Sequence, residues 1–348
     1  MTDHSALSDL GWQACFQQQL TLNEWDQAVP ARVIEQHRSE VVLATGEDVL
    51  TVSLLATTPE LVVGDWLLLD SDHRVLRRLD RKTYFARKAA GSELRKQIIS
   101  ANVDVAFIVS SMNDDFNLNR IERYLSLVNE AGADPVVVLS KSDQVQSPEQ
   151  FVELVHAIDP YLAVEMVNCL DAESVARLMP WIKRGTTVAV LGSSGVGKST
   201  LINTLLGEQR QSTGEIREDD AKGRHTTTSR SLISMDSGGL LLDTPGMREI
   251  QLADAREGIA ATFSDIEELA SKCKFGDCQH QTEPGCAVQE AIAADSLDQR
   301  RLDNYLKLLR EESRNTASLA EQRKASKAQG KFYKQVMSDT KKIRGRQD

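Results

Sequence analysis

The sequence contains no apolar run that approaches the roughly 20 residues of a membrane-spanning helix, so no membrane partner is expected. Its first residues, MTDHSALSDLGWQ, lack the basic segment and the following apolar segment of a secretory signal. Cysteine is scarce as well. The five cysteines are an odd number, and three of them lie close together late in the chain, which argues against a disulfide framework. These absences favour a cytoplasmic protein.

Length and charge limit the organisation of the chain. At 348 residues it exceeds what one compact core usually holds, and two or three domains are expected. The net charge is −10, yet residues 322–348 contain nine Lys or Arg against two Asp and carry +7, so the other 321 residues carry −17. A basic tail on an acidic body indicates either a contact with a polyanion, most often nucleic acid, or a solvated helix face with a frayed end.

Hydrophobic patterning predicts an α/β protein with a β-rich region before its parallel sheet. Residues 28–85 contain five short alternating stretches separated by turns, as in a small β-barrel of the oligonucleotide-binding (OB) type or another small β domain. From about residue 97, apolar strands alternate with amphipathic helices, one of them near 171–182. Residues 231–244 predict a hairpin. Beyond residue 253 the pattern is helical, with a long charged helix at about 297–328.

The sharpest motif is a phosphate-binding loop that follows an apolar strand and precedes a helical stripe. It fits G-x-x-x-x-G-K-[ST] and consists of Gly192, Ser193, Ser194, Gly195, Val196, Gly197, Lys198, Ser199 and Thr200. Its backbone N–H groups and the helix N-terminus are suited to phosphates. Lys198 is expected to reach the β/γ-phosphates, and the Ser199 hydroxyl to ligate Mg²⁺. The alternative, a Gly-rich turn without a ligand, does not explain the strand, lysine and helix together.

A second motif, Asp243-Thr244-Pro245-Gly246, ends an apolar strand 45 residues after Lys198. In P-loop enzymes an acidic residue in this place holds the Mg²⁺ shell, which predicts that role for Asp243. The N–H of Gly246 is expected to approach the γ-phosphate. Without the P-loop, the same four residues would indicate only the turn after a strand.

A third motif predicts which nucleotide base is bound. It directly follows the apolar run at 136–139. Ser140, Lys141, Ser142 and Asp143 match the guanine-specificity element of GTPases, usually N-K-x-D or T-K-x-D. A carboxylate at Asp143 accepts from two donors of guanine that adenine lacks. Ser140 replaces the usual Asn and removes an amide that would help to fix the loop, so weaker affinity is expected. Asn168-Cys169-Leu170 matches the supporting loop poorly in letters but well in position, and the Cys169 N–H is expected to reach the guanine O6.

The order of these motifs is permuted. The base motif precedes the P-loop by 57 residues, counted from Lys141 to Lys198, whereas ordinary GTPases have the P-loop first. Joining the old termini and opening a new gap preserves a core whose ends lie at the surface. The new gap falls after the strand that ends at Asp243. The segment most sensitive to the γ-phosphate therefore leads directly into the C-terminal part of the chain.

A Cys/His cluster follows in that C-terminal part. Cys273, Cys278, His280 and Cys286 are four ligands within 14 residues, a spacing that predicts one closed, structural Cys3His zinc site. The alternative is three free thiols beside an unrelated histidine. Cys15 and Cys169 are expected to be unpaired.

With this order and these motifs, the chain resembles the circularly permuted GTPases of the RsgA/YjeQ family, which assist late maturation of the small ribosomal subunit. The resemblance covers about residues 28–345 and includes Gly223-Arg224-His225-Thr226-Thr227-Thr228. It implies an OB-fold barrel, a circularly permuted P-loop GTPase core and a helical zinc-binding domain. The variant base-site residues and a long N-terminal extension that is not basic depart from the usual pattern.

The expected divisions are an N-terminal extension at 1–27, an OB-fold RNA-binding domain at 28–96, the permuted GTPase domain at 97–255 and the zinc-binding helical domain with its basic tail at 256–348. The partners implied are GTP or GDP with Mg²⁺, the small (30S) ribosomal subunit and its 16S rRNA, and a monomer is expected. The rival function classes are a GTP-dependent rRNA-binding scaffold with incidental hydrolysis and a P-loop ATPase or kinase.

Met247 stands where many GTPases have the Gln that orients the attacking water, so slow intrinsic hydrolysis is expected. His225 is the internal candidate for the missing group. One of Thr226, Thr227 and Thr228 is expected to close on Mg²⁺ in the GTP state, and Thr227 is the favoured candidate. An RNA-contacting or purely structural His225 is the alternative.

Overall fold

The computed structural model describes residues 4–54, 58–88, 96–208, 230–243 and 254–316. Three short helices come first: α1 (His4–Asp9), α2 (Ala14–Gln17) and α3 (Leu22–Gln27). Five strands follow: β1 (Val29–Gln36), β2 (Glu40–Ala44), β3 (Val49–Ser53), β4 (Trp66–Leu69) and β5 (Val75–Arg78). These antiparallel strands have the order β3-β2-β1-β4-β5. The five stretches predicted as strands from the alternating pattern are therefore present.

The N-terminal helices are packed onto these strands. Leu7 of α1 and Phe16 of α2 form one buried cluster with Trp66 and Leu68 of β4. The opposite apolar face of the strands encloses a second core that includes Val33. The segment expected from the sequence to be a separate extension thus covers one apolar face of β4.

A two-stranded antiparallel hairpin, β6 (Tyr84–Lys88) and β7 (Lys96–Ala101), connects the β region to the following sheet. The sequence did not predict this hairpin. Strand β7 runs across position 96, where a division was expected. Phe85 and Ile99 of the hairpin belong to the largest buried cluster of the described residues.

The central sheet contains five parallel strands: β8 (Val105–Ser111), β9 (Asp134–Ser140), β10 (Ala163–Val167), β11 (Thr187–Leu191) and β13 (Leu240–Asp243). Strand β12 (Arg230–Ser234) is antiparallel to β13 and forms the predicted hairpin with it. The order is β10-β9-β8-β11-β13-β12, and β12 also pairs with β1, which joins the sheet to the β region. The predicted α/β class with a mostly parallel sheet is confirmed.

Four helices alternate with these strands: α4 (Leu118–Ala131), α5 (Glu149–His156), α6 (Ala172–Val175) and α7 (Lys198–Leu206). The prediction of a single α-helix near 171–182 is wrong. Only α6 is α-helical there, and Ala176–Trp181 is a 3₁₀ segment. This segment contains Pro180, which lacks the N–H that an α-helical turn needs.

Four helices end the described chain: α8 (Arg256–Thr262), α9 (Ser264–Ala270), α10 (Ala287–Ala293) and α11 (Gln299–Thr316). They share one continuous core with the sheet, because Ile108 of β8, Leu125 of α4, Phe263 and Leu302 of α11 belong to the same buried cluster. The long helix predicted to about residue 328 is described as far as Thr316, and the basic tail lies outside the described residues. Among the described helices, none is long and apolar enough to span a membrane.

Candidate functional site

The predicted phosphate-binding loop lies between β11 and α7, at the carboxyl edge of the central sheet. Gly192 has φ 142°, and a Cβ there would collide with the Val109 carbonyl of β8, so the loop begins in close contact with the neighbouring strand. Gly197 has φ 97° and directly precedes α7. The Lys198 ammonium donates to the Ser193 carbonyl, which folds its side chain back over the loop. Ser194 and Gly195 are exposed at the tip. A Gly-rich turn that leads into a helix N-terminus is an arrangement that binds phosphates in other proteins.

The base motif lies beside this loop. Ser140 ends β9 and is fully buried. Its hydroxyl donates to the Val196 carbonyl at 2.6 Å, and its own carbonyl accepts from the Met112 N–H at 3.0 Å. From the sequence, Ser140 is expected to weaken nucleotide binding, because the side-chain amide of the usual Asn is missing. The structure shows that the shorter hydroxyl still ties the base motif to the P-loop.

Lys141 and Asp143 follow this buried serine in the chain. Lys141 adopts a left-handed conformation with φ 60°, and a 3₁₀ turn from Ser142 to Gln144 carries Asp143 to the surface. The sharp turn at Lys141 therefore directs the chain out of the sheet immediately after the buried Ser140.

Cys169 follows β10 and is buried next to the base motif. Its carbonyl accepts from the Thr204 hydroxyl of α7 at 2.6 Å, so the supporting loop is bonded to the helix of the P-loop. Burial raises the pKa of the Cys169 thiol to about 11, and the nearby Asp143 carboxylate adds to this shift. Leu170, the next residue, is 80% exposed. The P-loop, the base motif and the supporting loop thus meet at one edge of the sheet, as their positions in the sequence predicted.

Two further charged residues of this edge were missed by sequence reasoning. Arg120, in the first turn of α4, donates to the Ser193 hydroxyl at 2.8 Å and to the Asp115 carboxylate at 2.7 Å. Its hydrogen bond holds the pKa of Asp115 below its usual range, and the positive charge of Lys141 contributes further. Their position after a buried parallel strand was the available signal, because the carboxyl edge of such a sheet is where ligands bind.

The residues expected to handle Mg²⁺ and the γ-phosphate are described only in part. Ser199 lies in the first turn of α7, and Asp243 ends β13, the strand that pairs with β11. A hydroxyl and a carboxylate at this edge suit a Mg²⁺ ion that also takes oxygens from nucleotide phosphates. His225, Thr227 and Gly246 lie outside the described residues.

The Cys/His cluster is a second site, formed between α9 and α10. The ligand atoms of Cys273, Cys278, His280 and Cys286 all lie within 4.8 Å of one another. The Nδ1 of His280 is 3.6 Å from the Cys273 Sγ and 3.5 Å from the Cys286 Sγ, and these two sulfurs are 3.9 Å apart. A tetrahedral zinc ion with ordinary bond lengths separates two sulfurs by about 3.8 Å and sulfur from nitrogen by about 3.6 Å. The donor set and its spacing therefore form a metal site.

The loop around this site is internally braced. The Glu283 carboxylate accepts from the backbone N–H groups of Gln279, Gln281 and Thr282 at 3.0, 2.8 and 3.0 Å. The His280 carbonyl accepts from the Gln289 side chain of α10 at 2.7 Å. Cys286 is buried in the core shared with the sheet. The four ligands are therefore held by the fold as well as by any ion.

Known protein families and proteins are similar to this chain over much of its length. The family model described as RsgA GTPase matches residues 78–253. A model described as ABC transporter matches residues 178–332, a range that contains the P-loop common to many nucleotide-binding proteins. A Vibrio parahaemolyticus protein named small ribosomal subunit biogenesis GTPase RsgA 2 is 56% identical over 336 residues, which are 97% of this chain and 94% of that protein.

A Xanthomonas campestris protein named small ribosomal subunit biogenesis GTPase RsgA is 46% identical over 313 residues, which are 86% of this chain and 84% of that protein. Two solved structures share the fold. YjeQ from Thermotoga maritima has a TM-score of 0.61 at 22% identity, over 82% of this chain and 98% of that one. YloQ, described as a circularly permuted GTPase, has a TM-score of 0.60 at 23% identity, over 83% of this chain and 96% of that one. The chain belongs to the RsgA GTPase family and is a circularly permuted GTP hydrolase.

Proposed function

We propose that this GTPase binds the small ribosomal subunit, assists its late maturation, and couples subunit-stimulated hydrolysis to its own release. The observation that carries the proposal is the 56% identity, over nearly the full length of both chains, to a protein named for small-subunit biogenesis. The +7 charge of residues 322–348 supports a contact with 16S rRNA, because phosphate backbones attract basic segments. The protein acts as a cytoplasmic monomer in this proposal.

In the nucleotide site, the Asp143 carboxylate reads the donors of guanine and the Cys169 N–H faces its O6. The backbone of residues 192–198, together with Lys198, holds the phosphates. Ser199 and Asp243 hold Mg²⁺, which neutralises phosphate charge when it is bound. The support is the convergence of the three loops at one edge, fixed by the bonds of Ser140 to Val196 and of Thr204 to Cys169.

In the C-terminal region, the Cys3His cluster holds one structural zinc ion. Three thiolates and one imidazole are the donors that zinc prefers, and four protein ligands leave no open position for catalysis. The distances within the cluster support this assignment.

Hydrolysis depends on a water-orienting group that does not come from the usual position, which is residue 247 in this chain. Met247 has no polar group with which to orient water, so the free enzyme turns over slowly. We place His225 as the internal candidate that docking on the subunit brings into use, with Thr227 closing on Mg²⁺ and the Gly246 N–H on the γ-phosphate. Reciprocity of linkage then requires the GTP form to bind the subunit more tightly than the GDP form.

The test is GTP turnover by the full chain, titrated with purified small subunits at low salt, for the wild type and His225→Ala. The binding of the GTP-analogue and GDP forms to the subunit is measured alongside. A rate that saturating subunits leave unchanged contradicts the proposal and favours the scaffold function. Equal affinity of the two forms contradicts the coupling of hydrolysis to release. Stimulation that survives in His225→Ala keeps the coupling and removes His225 from catalysis.

A further inference from the structure

The first turn of α4 is bonded to the nucleotide site. Arg120 donates to the Ser193 hydroxyl at 2.8 Å, and the carbonyl of the same serine accepts from Lys198. The Asn117 side chain caps this turn by accepting from the Arg120 N–H at 3.1 Å. A movement of the P-loop at Ser193 therefore reaches the start of α4 through one side chain.

Two residues further along, Glu122 is fully buried and faces α11. Its carboxylate accepts from Arg300 at 3.0 and 3.1 Å, from Arg301 at 2.9 Å and from Asn304 at 2.5 Å. Loss of one such partner would leave a buried charge uncompensated and strongly destabilise the fold. Glu122 and its three partners on α11 therefore have few alternative arrangements. Helices α4 and α11 are therefore expected to move together.

The remaining C-terminal helices are attached to the same pair. Arg301 also donates to Asp265 of α9 at 2.7 and 2.8 Å and to the Thr262 carbonyl of α8 at 2.9 Å. Helix α8 touches α4 at its backbone, because a Cβ on Gly258 would collide with the Ser126 carbonyl. Packed helices of this kind shift as bodies rather than deform continuously.

We propose that the N-terminal part of α4 is a coupling element, in which Arg120 and Glu122 are positioning residues that connect the nucleotide state of the P-loop with α11 and the C-terminal region. This inference rests on the proposed function for its biological role, since a subunit docked on the C-terminal region would act on the P-loop by the same route. Reciprocity requires that a change imposed at α11 alters nucleotide affinity by the same factor as the nucleotide alters α11.

The test is hydrogen exchange of the full chain over residues 299–316, without nucleotide, with GDP and with a non-hydrolysable GTP analogue, each saturating. In the wild type, nucleotide is expected to change exchange in α11 by about five-fold or more. Arg120→Ala abolishes the response, and Arg120→Lys restores part of it, because an ammonium still donates to Ser193. Arg123→Ala is the matched control. It removes the Glu311 ion pair, with an N–O distance of 2.6 Å, from the same helix without touching the P-loop, and it keeps the response.

Exchange in α11 that ignores nucleotide in the wild type, or a full response in Arg120→Ala, overturns the coupling. Glu122→Gln is expected to lose the response at saturating GDP. If that variant does not fold, Ser193→Ala decides, because it removes the hydroxyl that Arg120 uses and leaves the buried cluster intact. No ribosome enters these measurements. A chain that shows the exchange response but no subunit-stimulated turnover loses the proposed function alone, and the reverse result loses the coupling alone.

Discussion

The hydroxyl of Ser140 donates to the carbonyl of Val196 across 56 residues of sequence and 2.6 Å of space. Ser140 ends the strand that carries the base motif, and Val196 lies in the P-loop. The bond therefore fixes the distance between the part of the site that reads the base and the part that holds the phosphates. Both residues are buried, so water does not replace the bond easily.

Removal of this hydroxyl is expected to weaken nucleotide binding. Ser140→Ala leaves the buried Val196 carbonyl without its donor, which costs about 1–2 kcal/mol. If the nucleotide-bound form bears the whole cost, GDP affinity falls roughly five- to thirty-fold. Ser126→Ala is the control, since it removes a buried hydroxyl that bonds within α4. Fluorescence titration of GDP measures both variants. Equal affinities would show that the bond does not organise the site.

Guanine selectivity is expected to reside in Asp143. Asp143→Asn should lower GDP affinity by roughly 2–4 kcal/mol, because a charge-assisted pair is lost. The amide offers a donor, so the variant should bind xanthosine diphosphate, which has a carbonyl at the base position concerned, better than the wild type does. Competition titrations with GDP, ADP and xanthosine diphosphate test this. Wild-type protein that binds ADP as tightly as GDP contradicts the assignment.

The features that could be predicted from the sequence depend on residues that are close together in the chain. The P-loop, the base motif and the Cys/His cluster are each contained in a few consecutive residues, and the strands of the parallel sheet are continuous apolar runs. The missed features are long-range. Glu122 meets its arginines about 180 residues away, and nothing near Glu122 distinguishes it from a solvated helix residue. The helices of residues 4–27 are too short for periodicity to show which strand they cover.

Thiol reactivity is expected to separate Cys169 from Cys15. With a pKa of about 11, the Cys169 thiol is only about 0.1% thiolate at pH 8. The folded protein favours the neutral thiol, so this group destabilises the fold as pH rises from about 8.5, the unfolded value, to about 11. Peptide mass spectrometry after iodoacetamide should find the exposed Cys15 modified at pH 8 and Cys169 modified only as the pH approaches 11. Modification of both at similar rates at pH 8 would refute the shift.

Loss of one cluster ligand is expected to remove the metal and to destabilise more than the C-terminal helices. Cys278→Ser should release zinc and lower the free energy of unfolding by at least about 3 kcal/mol, because structural zinc contributes folding energy directly. Cys286 belongs to the core shared with the sheet, so thermal unfolding of the whole core should move to lower temperature.

Cys15→Ser is the control for this variant, since Cys15 is exposed and lies outside the cluster. GDP binding at low temperature should persist in Cys278→Ser, because the nucleotide motifs contain none of the four ligands. Elemental analysis measures the metal. Purified wild-type protein that contains no zinc, or a variant that keeps one zinc per chain, contradicts the assignment.

The N-terminal helices are expected to be required for a stable β region. Phe16 of α2 is 2% exposed, and its ring lies 5.8 Å from that of Trp12 and 5.9 Å from that of Trp66. The same segment is bonded to the central sheet, since Gln13 donates at 2.8 Å to Asp104, whose other oxygen accepts from the Thr187 N–H at 2.9 Å. The segment therefore connects both structural regions.

Phe16→Ala should cost about 3–5 kcal/mol, the usual penalty for emptying a buried aromatic site. Hydrogen exchange over β4, whose Trp66 loses its cover, should accelerate before exchange in β9 and β11 does. Leu22→Ala is the matched control, because Leu22 lies in the same N-terminal segment but is 88% exposed, and its loss should change stability by less than about 0.5 kcal/mol. Urea unfolding followed by tryptophan fluorescence measures the stabilities, and exchange mass spectrometry locates the change. If the two variants are equally stable, the N-terminal helices are an appendage to the β region rather than part of its core.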